Sequence, residues 1–184
     1  MPNCNQTLTG YKLTCEDKQV KGGLKTNIYI TLRSNVDFDN CTLDADNNVY
    51  TAFALVSGAK FYKYEFAKQS CVLNSEFTYD GTTGEKSFAT NNLTMLFRRM
   101  DAAKRLAITS LMNSELFVVV EDANGTAYAL GVEEAVTSTS GSFTTGQSRT
   151  DANAATIIFT DTTADLPLQI SSNAMADIIA AVAA

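Results

Sequence analysis

Four cysteines are the first residues whose chemistry has to be considered, because thiolates hold metals, form disulfides and act as nucleophiles. Cys4, Cys15, Cys41 and Cys71 include no Cys-x-x-Cys pair, and the chain of 184 residues has no histidine. Spacing this wide and irregular disfavours a zinc site. The lack of histidine also excludes Ser-His-Asp and Cys-His catalysis and every imidazole general base. We therefore expect reduced thiols, no bound metal and no other cofactor.

Carboxylates are concentrated in the polar stretch 34–48, and oxygen ligands of this kind are what Ca²⁺ prefers. The stretch lacks the central glycine and the terminal glutamate of a helix-flanked calcium loop. Two interpretations stay open: a solvated polar loop, or a loop that takes up calcium adventitiously or on assembly. The carboxylates concerned are those of Asp37, Asp39, Asp44 and Asp46.

Two further motifs fail a chemical test. Glu133 and Glu134 are adjacent, and adjacent side chains of a strand point to opposite sides, which is wrong for an acid/base pair. The segment 141–148 has the glycine spacing of a phosphate-binding loop. However, Gln147 stands where the phosphate-binding lysine belongs, and no helical pattern follows. No catalytic site is indicated, so we predict that the protein is not an enzyme.

Composition limits the partners of the chain. It carries 14 Lys+Arg against 20 Asp+Glu, a formal charge of -6, while 45% of its residues are hydrophobic. This balance is typical of a folded globular domain. Affinity for nucleic acid comes largely from Lys and Arg, so tight binding to DNA is disfavoured, whereas a surface that DNA slides past is compatible. The start of the chain lacks the pattern of a signal peptide, and no apolar run is long enough to span a membrane. We expect assembly in the cytosol.

Alternation of apolar and polar residues predicts strands through most of the chain. Asp80-Gly81 and Asn124-Gly125 each mark a hairpin, the second with a type I′ turn. Tyr62, Tyr64 and Phe66 share one strand face. Without interleaved basic residues to bind nucleic acid, they favour the core over a base-stacking surface. Eight strands are predicted, at 25–33, 50–57, 60–67, 71–79, 86–98, 116–120, 126–132 and 154–160.

Helical spacing occurs in only two places. The interior helix covers 99–113, and a short C-terminal helix covers 171–184 with Ser172 or Asn173 as its cap. Residues 1–24 are expected to form an arm, while 34–48 and 133–151 are expected to be loops. The predicted fold is mainly β: a small antiparallel barrel or sandwich of about eight strands at 25–170, with one packed helix, followed by the C-terminal helix.

Charged residues supply the candidate interface. A basic run lies at the start of the interior helix, and it is either a solvated face or a contact with an acidic neighbouring subunit. The basic candidates are Arg98, Arg99, Lys104 and Arg105. The acidic candidates are Asp37, Asp39, Asp44, Asp46, Glu133 and Glu134.

Several stretches resemble one family across most of residues 4–160. They are the Cys4-Asn5 to Cys15 opening with Gly22-Gly23, the segment 61–66 (FYKYEF), the segment 96–105 (LFRRMDAAKR), the segment 116–131 (LFVVVEDANGTAYALG) and the Thr/Gly-rich stretch around 140–146. This pattern resembles the tail-tube-like structural proteins of phages that infect Bacteroidetes, including the crAss-like phages. The alanine-rich end, 162–184, departs from it.

The resemblance implies a non-enzymatic virion protein of the tail or neck. Subunits of such proteins join their sheets side by side into a ring around a DNA channel. The implied partners are further copies of the chain, in six-fold or twelve-fold symmetry, neighbouring tail, neck or portal proteins, and DNA that passes without specific binding. We expect the hairpin at 116–132 to lie centrally in the sheet that lines the ring. The alternative is a virion-attached carbohydrate-binding β-sandwich, against which the absence of tryptophan counts.

Overall fold

The computed structural model describes residues 20–44, 48–148, 151 and 153–183, which form eleven strands and two α-helices. The helices are α1 (Ala102–Met112) and α2 (Ser172–Ala180). The strands are β1 (Leu24–Leu32), β2 (Thr42–Asp44), β3 (Val49–Ala52), β4 (Tyr62–Glu65), β5 (Cys71–Tyr79), β6 (Lys86–Arg98), β7 (Leu116–Asp122), β8 (Ala127–Leu130), β9 (Thr137–Thr144), β10 (Ala154–Thr163) and β11 (Leu168–Ile170).

The strands form two sheets. The seven-stranded sheet has the order β2-β3-β11-β8-β7-β1-β4, and the four-stranded sheet has the order β5-β6-β10-β9. Only the β11–β3 pair is parallel. Within the described residues the sheets stack as a sandwich and do not close into a barrel. The predicted fold class is confirmed, and β2, β9 and β11 are present in addition to the eight predicted strands.

Two apolar layers hold the sandwich together. The first lies between the sheets and is formed by one face of β1 and β7, the inner face of β6 and β10, and Ile108 and Leu111 of α1. The second lies on the opposite face of the seven-stranded sheet, where Ala174, Met175 and Ile178 of α2 pack on it. Residues 116–120 of β7 are therefore buried on both faces.

Local capping fixes both helices. Asp101 precedes α1 and its carboxylate accepts a hydrogen bond of 2.9 Å from the Lys104 N–H, which satisfies one of the free donors of the first turn. The hydroxyl of Ser171 accepts from the Ala174 N–H at the start of α2, at 3.2 Å. Both helices lie where the sequence predicts them, although the cap of α2 is Ser171.

Both predicted hairpin turns are present, but the type of the second was wrong. Gly125 has a φ of 96°, whereas Asn124 is not among the residues with positive φ, so the turn is not type I′. The Asp122 carboxylate fixes it instead. Its Oδ1 accepts hydrogen bonds from the N–H groups of Asn124 and Thr126, at 2.9 and 2.8 Å.

Two predicted loops contain regular structure. The loop predicted at 133–151 was wrong over its centre, because Thr137–Thr144 pairs with β10 as β9. The strand lacks a clear apolar alternation because it is an edge strand with few buried side chains. The stretch 34–48 contains a 3-10 turn at Phe38–Asn40 and then β2. Most of the predicted arm, residues 1–19, lies outside the described residues.

Candidate subunit interface

The edges of the two sheets differ in length. The seven-stranded sheet ends in β2 and β4, which are three and four residues long. The four-stranded sheet ends in β5 and β9, which are nine and eight residues long. An end strand presents unpaired N–H and C=O groups, and folded proteins usually protect long edges with charges, proline or a covering element. Neither β5 nor β9 contains proline, and Glu76 is their one charged residue. These edges are suited to pairing with another chain.

The two faces of the four-stranded sheet also differ. Side chains of alternate residues point to opposite faces, and the residues of β6 and β10 that belong to the core define the inner face. The outer face carries threonine, serine and asparagine with few apolar residues. The outer-face residues of β5 and β6 are Val72, Asn74, Glu76, Thr78, Phe88, Thr90, Asn92, Thr94, Leu96 and Arg98. On β10 and β9 they are Thr156, Ile158, Thr160, Thr162, Ser140, Ser142 and Thr144.

No described element covers this outer face, since neither apolar layer includes any of its side chains. Hydrogen bonds between strands hold its polar groups in place. Thr160 donates to Asn92 Oδ1 at 2.8 Å, and its hydroxyl lies 2.8 Å from that of Thr139. Glu76 on β5 and Arg98 at the end of β6 are its two formal charges among these strands. The result is a polar but almost uncharged surface.

The predicted basic residues come together where β6 passes into α1. Arg98 is the last residue of β6, and Arg99 has a φ of 54° that turns the chain toward the helix. Lys104 Nζ donates to the carbonyls of Arg98 and Arg99, at 3.3 and 3.2 Å, and lies 3.9 Å from Asp101 Oδ2. Lys104 therefore stabilises this junction within its own chain. Arg98, Arg99 and Arg105 have exposed side chains.

The predicted acidic residues do not form one cluster with a shared contact. Asp37 accepts a hydrogen bond of 2.7 Å from the Asn40 side chain, and Glu133 accepts one of 2.8 Å from the Ala164 N–H. Asp39 and Glu134 are exposed, and Asp44 is half-buried at the end of β2. Asp46 lies outside the described residues. Whether any of them contacts a second subunit stays a prediction.

The expectation that the hairpin at 116–132 lines a channel was wrong in one respect. The hairpin is central in its sheet, as predicted, because β8 and β7 are inner strands. However, β7 is covered by the four-stranded sheet on one face and faces the layer containing α2 on the other. A strand buried on both faces cannot face a channel. Among the described residues, the four-stranded sheet has the face that neither apolar layer covers.

A set of polar contacts, which sequence reasoning missed, holds the connection that runs from β8 in one sheet to β9 in the other. We call this connection the crossing and its contacts the polar clamp. Gly131 follows β8 with a φ of 92°, and its N–H donates to Asp161 Oδ2 at 2.8 Å in a buried site. From the other side, the Arg33 guanidinium donates to the carbonyls of Gly131, Val132 and Glu133. A side chain at Gly131 would place its Cβ 2.6 Å from the Leu116 carbonyl oxygen. Arg33 and Asp161 thus fix the path from β8 to β9.

Asp161 is an unusual buried group, with a side chain only 3% exposed. Its Oδ1 and the Oδ1 of neighbouring Asn91 have no hydrogen-bond partner among the described residues. Burial raises the pKa of the Asp161 carboxyl, against hydrogen bonds from the Gly131 N–H and the Asn91 side chain, which lower it. The signal missed in the sequence was the interruption of an otherwise neutral strand by one aspartate.

The thiols of the two described cysteines are expected to be unreactive at neutral pH. Both are half-buried and unpaired. Burial raises the pKa of the Cys71 thiol to about 11, and burial also raises the pKa of Cys41. Thiols with raised pKa values are weak nucleophiles at neutral pH, since the thiolate is the reactive form. Neither described cysteine has the properties of a catalytic residue.

Of the three aromatic residues predicted for the core, two are packed and one is exposed. Phe66 lies edge-on to Phe97 with ring centroids 5.1 Å apart, and Tyr64 is half-buried beside it. Tyr62 is exposed on β4. The prediction therefore holds for Tyr64 and Phe66 and was wrong for Tyr62.

No group of three or more potential ligand side chains in the described ranges is placed to hold a metal ion. No described helix is both long and apolar enough to cross a membrane. By sequence, the chain matches no known protein family and no curated protein.

Proposed function

We propose that the protein is a non-enzymatic structural subunit that assembles into a ring through the four-stranded sheet. The observation that carries this proposal is the pair of long, unprotected edges on that sheet, beside the short edges of the other sheet. Pairing of β9 of one subunit with β5 of the next satisfies both rows of backbone groups. The same patch then repeats around a closed, head-to-tail assembly.

Strand direction favours this closure. The order β5-β6-β10-β9 is antiparallel throughout, so the two end strands run in opposite directions. A β9 edge placed beside the β5 edge of a second copy therefore continues the antiparallel pattern. A ring of subunits joined in this way has one continuous sheet, and such closure leaves no edge exposed.

The outer face of the four-stranded sheet would line the channel of this ring. A duplex that moves through a channel is retarded by fixed cations, because Lys and Arg bind phosphates by releasing counterions. Between its ends this face holds no Lys or Arg; its formal charges are one carboxylate, from Glu76, and one cation, from Arg98 at the rim beside α1, which balance each other. The hydroxyl and amide groups of this outer face keep it hydrated without attracting the phosphates of the DNA backbone. This character fits passage of DNA without retention.

The place of such a ring is the tail or neck of a virion, next to further tail, neck or portal proteins, after assembly in the cytoplasm of a host bacterium. This part of the proposal rests on the sequence resemblance to tail-tube-like proteins. The described fold is compatible with it, because an open sheet with two pairing edges is what a ring subunit needs.

Electron microscopy of negatively stained protein, together with two edge variants, tests the proposal. Along β5, the N–H groups of consecutive residues point alternately toward β6 and away from it. Of Asn74→Pro and Ser75→Pro, one variant therefore removes a donor from the internal ladder, while the other removes only an outward donor. We expect the wild type to form rings, and the variant that retains the thermal midpoint to remain monomeric. Rings formed by that folded variant, or a wild type that stays monomeric, contradict the proposal.

A further inference from the structure

The distal part of the β5–β6 hairpin has no further described strand paired with it. Pairing between β6 and β10 ends at Ala89 and Thr163, so the hairpin continues past that point as two strands alone. Every residue from 76 to 88, which we call the hairpin tip, is exposed. A two-stranded ribbon is only marginally stable in water by itself. The tip is therefore expected to gain stability from contact with another surface.

Aromatic side chains on the tip are the natural contact residues. Tyr79 is 59% exposed, and Phe77 and Phe88 are each 38% exposed. Lys86, next to the turn, pairs with Asp165 and lies 5.4 Å from the centroid of the Phe77 ring. A cluster of exposed aromatic residues of this kind is typical of a protein contact.

An apolar groove of about 590 Å³ lies at the opposite end of the sheet, between α1 and β9. We call it the α1–β9 groove. Its walls include Met100 and Met112, whose flexible thioether side chains adapt to aromatic partners. Phe143, at 57% exposure, forms its β9 side. The remaining wall residues used here are Arg105, Ile108 and Ile157.

The charges of the two regions are complementary. The tip carries the carboxylates of Glu76, Asp80 and Glu85, and its one lysine is already paired with Asp165. The groove has Arg105 in its wall, with Arg98 and Arg99 exposed at the adjacent end of β6. The negatively charged aromatic tip is attracted to the positively charged, methionine-rich groove. This attraction orients the two surfaces as two subunits approach each other.

The two regions cannot meet within one subunit. The turn of the hairpin lies beyond Lys86, whereas Arg98, Ala154 and Thr144 are paired at the other end of the sheet. The 13 residues of β6 between these ends span about 40 Å. Any contact between the tip and the groove is therefore made between two copies of the chain.

From this placement we infer that the hairpin tip of one subunit docks in the α1–β9 groove of a subunit in the next ring. The inference rests on the proposed ring. Strands of a barrel run from one rim to the other, so the tip and the groove lie on opposite rims. A contact between unlike surfaces on opposite rims does not close on itself, and it stacks rings into an open tube.

Photo-crosslinking tests the contact directly. Benzophenone, introduced by Tyr79→p-benzoylphenylalanine, inserts readily into methionine side chains. We expect irradiation of assembled protein to join the tip to peptides that contain Met100 or Met112. Such a product is necessarily intermolecular. Arg105→Glu, which reverses the charge of the groove wall, is expected to lower its yield at least fivefold. The matched control Val56→Ser, an exposed apolar residue away from both regions, should leave the yield unchanged.

Imaging the same samples separates this inference from the proposed ring. Tubes that become single rings in a Phe77→Ser/Tyr79→Ser/Phe88→Ser variant support both. Rings or tubes that give no groove adduct overturn the docking and leave the ring in place. Adducts in the groove without any rings support the docking and overturn the ring. Neither rings nor adducts overturn both.

Discussion

The two sheets of this protein use similar backbone geometry for different purposes. The seven-stranded sheet is packed on both faces at its centre, along β7, and ends in short strands, so most of its pairing capacity is used within the subunit. The four-stranded sheet is packed on one face only and ends in strands of nine and eight residues. In the proposed assembly, the groups that stabilise the subunit and the groups that join subunits therefore lie in different sheets. One sheet contributes the strand that is buried on both faces, and the other has the open face and the two long edges that we propose for contacts with neighbouring subunits.

A matched pair of phenylalanine truncations should give the largest contrast between the sheets. Phe117 in β7 is fully buried, and its ring centroid lies 5.5 to 6.2 Å from those of Phe38, Phe53 and Phe61. Phe117→Ala is expected to lower the free energy of unfolding by about 3–5 kcal/mol, through lost burial and a cavity. Phe143→Ala on β9 should change it by less than about 0.5 kcal/mol. Urea unfolding of dissociated subunits measures both, and equal losses would contradict the separation.

Two glycines allow a similar comparison of the crossing and the edge. At Gly131, a Cβ meets the Leu116 carbonyl oxygen at 2.6 Å and φ is positive, so Gly131→Ala is expected to cost about 2 kcal/mol or more. At Gly141 on β9, the nearest atom is Met112 Cε at 3.7 Å, an ordinary contact. Gly141→Ala should be neutral or slightly stabilising. Thermal midpoints of the two variants test this, and a destabilised Gly141→Ala would show that β9 is more tightly packed than described.

The buried carboxyl of Asp161 should give the crossing a specific pH dependence. Because burial raises the pKa of Asp161 in the folded state above 3.8, the folded state binds this proton more tightly than the unfolded state. The resulting stabilisation is complete below pH 3.8 and is lost as the pH rises through the folded pKa. Asp161→Asn keeps an oxygen for the Gly131 N–H and removes the charge. We therefore expect wild type to lose stability relative to Asp161→Asn as pH rises through this window. A constant difference between their unfolding free energies from pH 3 to 8 would exclude this role.

Charge reversals at the start of α1 should have the smallest effects on stability. Arg105→Glu is expected to change the free energy of unfolding by less than about 0.5 kcal/mol, since the side chain is exposed. Lys104→Glu should cost more, up to about 1 kcal/mol, because it removes two hydrogen bonds to the carbonyls of Arg98 and Arg99. Parallel urea titrations distinguish the two, and equal effects would show that the Lys104 contacts contribute nothing.

Strands with one buried face could be predicted from the sequence, whereas the edge strand β9 could not. The alternation in β6 and β10 follows from one face packing on the core. In β7, the unbroken apolar run from Leu116 to Val120 already indicates burial on both faces. The prediction that this hairpin lies in the sheet that lines the ring overlooked that signal. Strand β9 has no apolar period, because an edge strand buries few side chains. The polar clamp of Arg33, Gly131 and Asp161 joins residues that are distant in the chain, so no local sequence pattern predicts it.

Hydrogen–deuterium exchange on assembled and dissociated protein tests the separation of the two sheets most directly. Unpaired edge amides exchange quickly, and pairing with a second chain protects them. On assembly we expect new protection in β5 and β9, at 71–79 and 137–144, while β2 and β4 exchange at the same rate in both samples. New protection in β2 or β4 with unchanged exchange in β5 and β9 would contradict the account, because the seven-stranded sheet would then be the one that joins subunits.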